Sequence, residues 1–336
     1  MDSLSQIVLG GALVAAIAPA SHRRAALLAG AALGTLPDLD SLPLALLFDD
    51  PVMRMTWHRS VSHSLFVLPF VAAVIWWLYK RRGGRVAASP VRWFFAMQSA
   101  LITHPLLDAF TVYGTQLWWP LGVPPTMWSS MFIIDPLYTL WLLIACSVAW
   151  VARERIAAQR VLIAGLALST AYLGWSLAAK AMVERAAEDA LAQIGLQDAP
   201  RFSVPMPFNT LLWRVVAMTP DGYVEGERSL VADRGAMRFR AQPSDVAALR
   251  EVADYEAVAR LRWFNHGFMK AQERDGTLIL SDLRMGLEPD YIFNFIVAKR
   301  NSPTWREIPP QQLTWPWNAA GRLRDMWGRI WKEPQQ

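Results

Sequence analysis

The chain has 336 residues, enough for two domains, with 54% hydrophobic residues, 17 Trp and a mean hydropathy of +0.20. A single cysteine excludes a disulfide framework and a cysteine-type zinc site. The net charge of +5 is uneven: residues 1–180 hold 13 Lys+Arg against 8 Asp+Glu, and residues 181–336 hold 20 of each. The excess therefore belongs to the apolar half, where membrane topology accounts for it better than a nucleic-acid partner does, and none is expected.

Ile7–Ala20 is apolar and ends in Ala18-Pro19-Ala20, but Asp2 and the lack of Lys or Arg before it argue against a signal peptide. A second short run, Ala25–Leu36, follows. Gly10, Gly11, Gly30 and Gly34 would let the two runs pack closely as helices. Pro37 disfavours helical geometry at Leu36 and closes the second run. Four longer segments read as spans, at about Ser64–Tyr79, Trp93–Tyr113, Ile133–Val151 and Val161–Ala179. The expected fold is thus a membrane all-α helical bundle of about 4–6 transmembrane helices over residues 1–180. A soluble α+β domain should occupy 181–336.

The segments His22–Arg24, Lys80–Arg92 and Arg153–Arg160 hold ten of the thirteen basic residues of the first half. The positive-inside rule assigns them to the cytoplasm. Threading the spans on that basis predicts a multi-pass inner-membrane protein whose second half and acidic motifs lie on the extracytoplasmic face. In the second half, strands are expected at Thr210–Met218, Tyr223–Ser229, Met237–Ala241, Leu261–Phe264, Thr277–Leu280 and Tyr291–Ala298. A helix is expected at Ser244–Tyr255, and turns at Asp221-Gly222 and Asp275-Gly276. The tail Trp315–Trp331 sets Trp315, Trp317, Trp327 and Trp331 among Arg322, Arg324 and Arg329 and suits either a membrane surface or packing on its own domain.

Ionisable residues interrupt the apolar half at a few places only. Asp38 and Asp40 follow Pro37, and His58 and His63 bracket Arg59-Ser60-Val61-Ser62. His104 and Asp108 share a helix face at i and i+4. Such groups at membrane depth are costly and mark functional sites, and carboxylate with imidazole is the ligand set of zinc or a similar divalent ion. Asp108 either binds the ion or orients His104. Asp135 before Pro136 reads equally as a helix cap or as a site residue. Arg59 suits a phosphate or carboxylate, or a lipid headgroup, and Gln6 and Tyr113 are polar groups available to orient a ligand.

The first half resembles the YdjM-type family of bacterial inner-membrane proteins. The likeness rests on Asp2–Gln6, Pro37–Asp40, His58–Ser64, Thr103–Asp108, Tyr113–Gln116 and Ile134–Tyr138. In the second half Pro207–Thr210, Trp263-Phe264 with Gly267-Phe268, and Ser281–Arg284 resemble its longer members. Some relatives carry His where Gln6 stands. The resemblance implies a metal-dependent hydrolase, and the His-x-x-x-Asp and Asp-rich elements are distantly similar to zinc-dependent phospholipase C and related nucleases. The combined expectation is a divalent ion, zinc, held among Asp38, Asp40, His58, His63, His104 and Asp108. Arg59 would stabilise charge on a phosphoester of a lipid or lipid-linked substrate. The alternative is a membrane scaffold in which metal or a polar network fixes the helices. No His-Glu-x-x-His motif and no Gly-rich phosphate loop is present.

Overall fold

The computed structural model describes residues 1–313 and 319–333 and divides into two compact units. Unit one comprises Met1–Pro43, His58–Trp128 and Ile133–Ser176, and unit two comprises Leu44–Trp57, Ser129–Phe132 and Leu177–Gln336.

Unit one is helical. Helix α1 (Ser3–Ile17) starts where the Asp2 carboxylate accepts from Ser5 N, and α2 (Arg23–Thr35) folds back against it. Glycine makes that return possible. A Cβ added at Gly10 would collide with the Gly30 carbonyl, one at Gly30 with the Gly10 carbonyl, and one at Gly34 with the Gln6 carbonyl. A 3-10 turn, Leu36–Asp40, then leads to α3 (Ser41–Leu47). Helix α4 (Pro51–Trp57) belongs to unit two. Unit one resumes with a second 3-10 turn at Val61–His63, then α5 (Leu68–Arg81), α6 (Gly84–Ala88), α7 (Pro90–Ala109) and α8 (Pro136–Ala152). The 38-residue α9 (Ile156–Gln193) begins in unit one and ends in unit two.

The expected 4–6 spans are not present. Among the described residues only α9 is long and apolar enough to cross a membrane, and a second is reached only if α4 and α5 count as one broken span. A crossing needs about 20 apolar residues, whereas α1 and α8 have 15 and 17. Apolar sequence overran the helices: Ile133–Val151 begins in the stretch before Asp135, which caps α8, and Ser64–Tyr79 begins in a turn before α5. Helix α7 does have 20 residues, but it carries Arg92, Gln98, His104 and Asp108. Many apolar side chains pack helix against helix, as Val14, Ala15, Ala26, Leu101 and Leu142 do. The threading that set the acidic motifs on the extracytoplasmic face loses its basis with those spans.

Unit two is α+β. One antiparallel sheet has the order β1 (Arg201–Pro205), β2 (Leu212–Thr219), β3 (Gly222–Ser229), β4 (Phe239–Pro243). Ala179, Val183, Ala187 and Ala190 of α9 pack with Trp213 and Val215 of that sheet. Two short helices follow, α10 (Val246–Glu251) and α11 (Glu256–Phe264). Asp245 caps α10, so the expected Ser244–Tyr255 helix is shorter, and Leu261–Phe264 is helical, since Val258, Leu261 and Phe264 bury one face at helical spacing.

The second sheet is built from β5 (Met269–Arg274), β6 (Thr277–Asp282), β9 (Asn294–Asn301) and β10 (Thr304–Leu313), in the order β10-β9-β6-β5. A small hairpin, β7 (Gly286–Leu287) with β8 (Asp290–Tyr291), stands beside it. Asp275 and Gly276, both at positive φ, make the β5–β6 turn. Asp282 and Arg284 form a fully buried ion pair, and Arg284 Nη1 also donates to the Phe264 carbonyl at 3.2 Å, so the Ser281–Arg284 motif is tied to the end of α11. Trp315 and Trp317 lie outside the described residues. The rest of the tail forms α12 (Ala319–Trp331), whose Met326 and Ile330 pack with Met206 and Leu212 while Trp327 and Trp331 face outward.

Replacing Gly30 with Ala tests the helix crossing. Alanine would gain about 1 kcal/mol of helix propensity, but its Cβ meets rigid backbone of α1, and overpacking of that kind costs about 1–3 kcal/mol. Thermal melting should show net destabilisation for Gly30→Ala. Gly328→Ala, where the Cβ meets nothing, should be neutral or stabilising.

Candidate metal centre

Three segments of unit one converge on one point. The 3-10 turn after α2 supplies Asp38, because Pro37 cannot continue the helix and turns the chain there. The turn Val61–His63 supplies His63, and α7 supplies His104 and Asp108 from one face. His63 Nε2 lies 3.1 Å from His104 Nε2, 3.4 Å from Asp38 Oδ1 and 3.1 Å from Asp108 Oδ2. His104 Nε2 lies 3.5 Å from Asp38 Oδ1 and 3.6 Å from Asp108 Oδ2. All four atoms fall within 4.8 Å of one another. A tetrahedron around zinc at about 2.0–2.1 Å has edges of about 3.3–3.4 Å, and the five separations above, 3.1–3.6 Å, are close to that spacing.

The surrounding hydrogen bonds fix what these atoms are. His104 Nδ1 lies 2.7 Å from the Gly34 carbonyl, which can only accept, so Nδ1 carries the proton. Ser62 Oγ donates to Asp40 Oδ2 at 2.5 Å and therefore accepts from His63 Nδ1 at 2.9 Å. Each neutral imidazole thus aims a lone pair inward. The two facing carboxylate oxygens, Asp38 Oδ1 and Asp108 Oδ2, are buried with no hydrogen-bond partner. Four acceptors facing one another repel unless a cation, or a proton added to one imidazole, sits among them. Burying unpaired acceptors is otherwise expensive. The residues fit a divalent metal ion.

A second layer holds the first. Gln6 Nε2 donates to Asp108 Oδ1 at 3.0 Å and to the His104 carbonyl at 3.1 Å, and the amino group of Met1 also lies against Asp108. Asp40 stands outside the ligand set. Its Oδ1 takes His58 Nδ1 at 2.7 Å, and its Oδ2 takes Arg59 N at 3.1 Å as well as Ser62. Burial raises the pKa of Asp40, but bonds from His58 and Ser62 outweigh it, so that carboxyl stays below its ordinary value.

Arg59 is 3% exposed and held at φ 62°, with its carbonyl accepting from Gln116 N at 2.9 Å. Its Nε sits 3.3 Å from Asp108 Oδ2 without a hydrogen bond, and its guanidinium lies over the Tyr113 ring at 5.0 Å.

Of the six residues expected as ligands, the structure brings Asp38, His63, His104 and Asp108 together and sets Asp40 and His58 behind them. Gln6, Arg59 and Tyr113 surround the cluster. Asp135 is elsewhere. Its Oδ1 caps α8 through Leu137 N and Tyr138 N, and its Oδ2 accepts from Tyr172 at 2.9 Å. His22 bonds Trp93. Sequence reading missed Ser62, which links His63 to Asp40, and the Gly34 carbonyl. Serine beside histidine in a turn is a signal for the first, but no signal marks a backbone carbonyl.

A family model described as YdjM inner membrane protein matches residues 1–183, and the chain belongs to that family. No curated protein and no solved structure matches it.

The two layers make different predictions for metal content. His63→Ala, His104→Ala and Asp38→Asn should each abolish stoichiometric binding. His58→Ala should keep one ion with affinity about 10–100-fold weaker, as for an outer partner, and His266→Ala should change nothing. Elemental analysis after dialysis against graded chelator reads all five variants.

Proposed function

We propose that this member of the YdjM inner membrane protein family is a metal-dependent hydrolase. Zinc would be held by Asp38, His63, His104 and Asp108, and the substrate would be a phosphoester of a lipid or lipid-linked molecule. Two imidazoles and two carboxylates with no sulfur suit zinc. A divalent ion bound there supplies Lewis-acid polarisation of a phosphoryl oxygen and acidification of water.

The observation that carries the reading is Arg59. A buried guanidinium that pairs with a ligand oxygen at 3.3 Å and donates from Nη1 to Thr111 Oγ1 at 3.4 Å, yet makes no hydrogen bond from Nε, keeps a donor unspent. It is what an anionic oxygen entering the site would require. Asp38 is the one ligand with a partly exposed side chain, at 20%, and the neighbouring Leu39 and Leu42 are exposed apolar residues. An entrance on that side would pass the apolar part of a lipid.

The residues then divide the work. Gly34 and the Ser62–Asp40 pair hold the imidazoles in their inward tautomers, and Gln6 fixes the Asp108 rotamer. Arg59 binds the substrate phosphoryl oxygens and stabilises charge that grows on them. The basic residues Arg153, Arg155 and Arg160 flanking the start of α9 favour a cytoplasmic start for that helix and an extracytoplasmic unit two. A reporter fusion at Asp282 active only outside the cytoplasm is the expected outcome.

A second reading, a structural metal, is favoured by the closeness of four protein donors, three with side chains fully buried. Arg59→Lys separates the two. For a hydrolase, metal content stays unchanged while cleavage of headgroup-labelled phospholipid or a phosphodiester reporter falls about 10²–10³-fold, the range for loss of a charge-stabilising donor. Metal-loaded protein with no turnover on any phosphoester, and an Arg59→Lys variant altered only in melting temperature, would establish the structural reading.

A further inference from the structure

At the other end of α2 from the metal centre, a groove of about 890 Å³ opens in unit one. Arg24, Arg153 and Arg155 line it with Glu154, and Val148 and Val151 form an apolar wall. Arg24 and Asp38 are fourteen residues apart along α2 and its turn, on the order of 20 Å at a helical rise, so this is a separate place.

The groove has a built frame. Arg23, 2% exposed, bonds the carbonyl of the lining residue Arg153 at 3.3 Å, the Ala15 carbonyl, and Gln159 at 2.6 Å. Arg24 spends its Nε on the Trp150 carbonyl at 2.9 Å and stacks over the Trp150 ring at 5.0 Å. Its two terminal nitrogens have no protein acceptor among the described residues. Arg153 and Arg155 are exposed and make no ion pair among the described residues, and Arg153 is held at φ 53°. Three guanidiniums with one carboxylate leave a net positive groove facing outward.

An apolar track leads into it. Leu137, Leu140, Ile144, Val148 and Val151 of α8 are all exposed, from 37% to 76%. Their spacing of three, four, four and three residues puts them on one helix face. The track is about 21 Å long at 1.5 Å per residue, somewhat more than one leaflet of a ~30 Å hydrocarbon core. It ends at the groove, where α9, the candidate membrane span, begins at Ile156.

We propose that this groove binds the headgroup of an anionic phospholipid, with an acyl chain along the exposed face of α8. The charge selects the phosphodiester, Arg offers it planar paired donors, and the track supplies the apolar surface that a free phosphate would not need. Basic pockets beside membrane helices bind acidic headgroups on the same grounds.

Full-length protein purified in a neutral detergent, incubated with phosphatidylglycerol, phosphatidylcholine or inorganic phosphate, tests this by native mass spectrometry. One phosphatidylglycerol should be retained in preference to phosphatidylcholine. Arg153→Gln/Arg155→Gln should weaken retention at least tenfold, and Val148→Gln/Val151→Gln should also weaken it, each with a normal melting temperature and metal content. Should the paired Arg variant melt abnormally, the single exposed substitution Arg155→Gln, expected to weaken retention severalfold, decides instead. Equal retention of the two lipids overturns the proposal, as does undiminished binding by the Arg variant. Inorganic phosphate displacing the lipid at equal concentration would mean a simple anion site and would also overturn it.

Discussion

Four electron-rich atoms, two imidazole nitrogens and two carboxylate oxygens, face one another in the interior of unit one with no proton assigned between them. Most of the arrangement around them serves to keep them there. Hydrogen bonds to Gly34 and Ser62 turn both imidazoles inward, Gln6 holds Asp108 from behind, and Asp40 gathers the loop that carries His58, Arg59 and Ser62. Each of these partners would be idle if the cluster were an incidental meeting of polar side chains.

The helix crossing is the mechanical counterpart of that electrostatic demand. Glycines at 10, 30 and 34 let α1 and α2 touch backbone to backbone. That contact delivers Gln6 from one helix and the Gly34 carbonyl from the other to the same histidine-bearing helix, α7. Larger residues at the crossing would separate the two supports before they disturbed any ligand directly. Helix packing and the geometry of the His/Asp cluster are thus coupled in unit one.

Arg59 gives the centre its direction. It is buried and pinned at positive φ through its own backbone bonds to Asp40 and Gln116, and its guanidinium lies beside Asp108. Strain of this kind persists where the surroundings over-determine a residue, and it gathers at functional sites. The motif segment Tyr113–Gln116 does its part here by backing Arg59, with its ring and its backbone, and not by reaching the ligand atoms.

Residue chemistry and spacing alone pointed to a cluster able to hold a metal in the first half, since acid and imidazole side chains set in apolar sequence have few cheaper explanations. They also placed His104 and Asp108 on one face, because helical periodicity is local. The α+β character of the second half was legible for the same reason, through alternation and the Asp-Gly turn at 275. The tertiary structure alone decided which of six candidates face one another: Asp40 and His58 differ from Asp38 and His63 by the direction a turn gives them. It moved Asp135 to a helix cap and Leu261–Phe264 into a helix. It also reduced the expected spans to one helix that meets the length and hydropathy of a crossing, or two if a bent pair is joined. Hydropathy counts apolar residues but cannot tell a side chain that faces lipid from one packed on a neighbouring helix, and only the folded chain separates them.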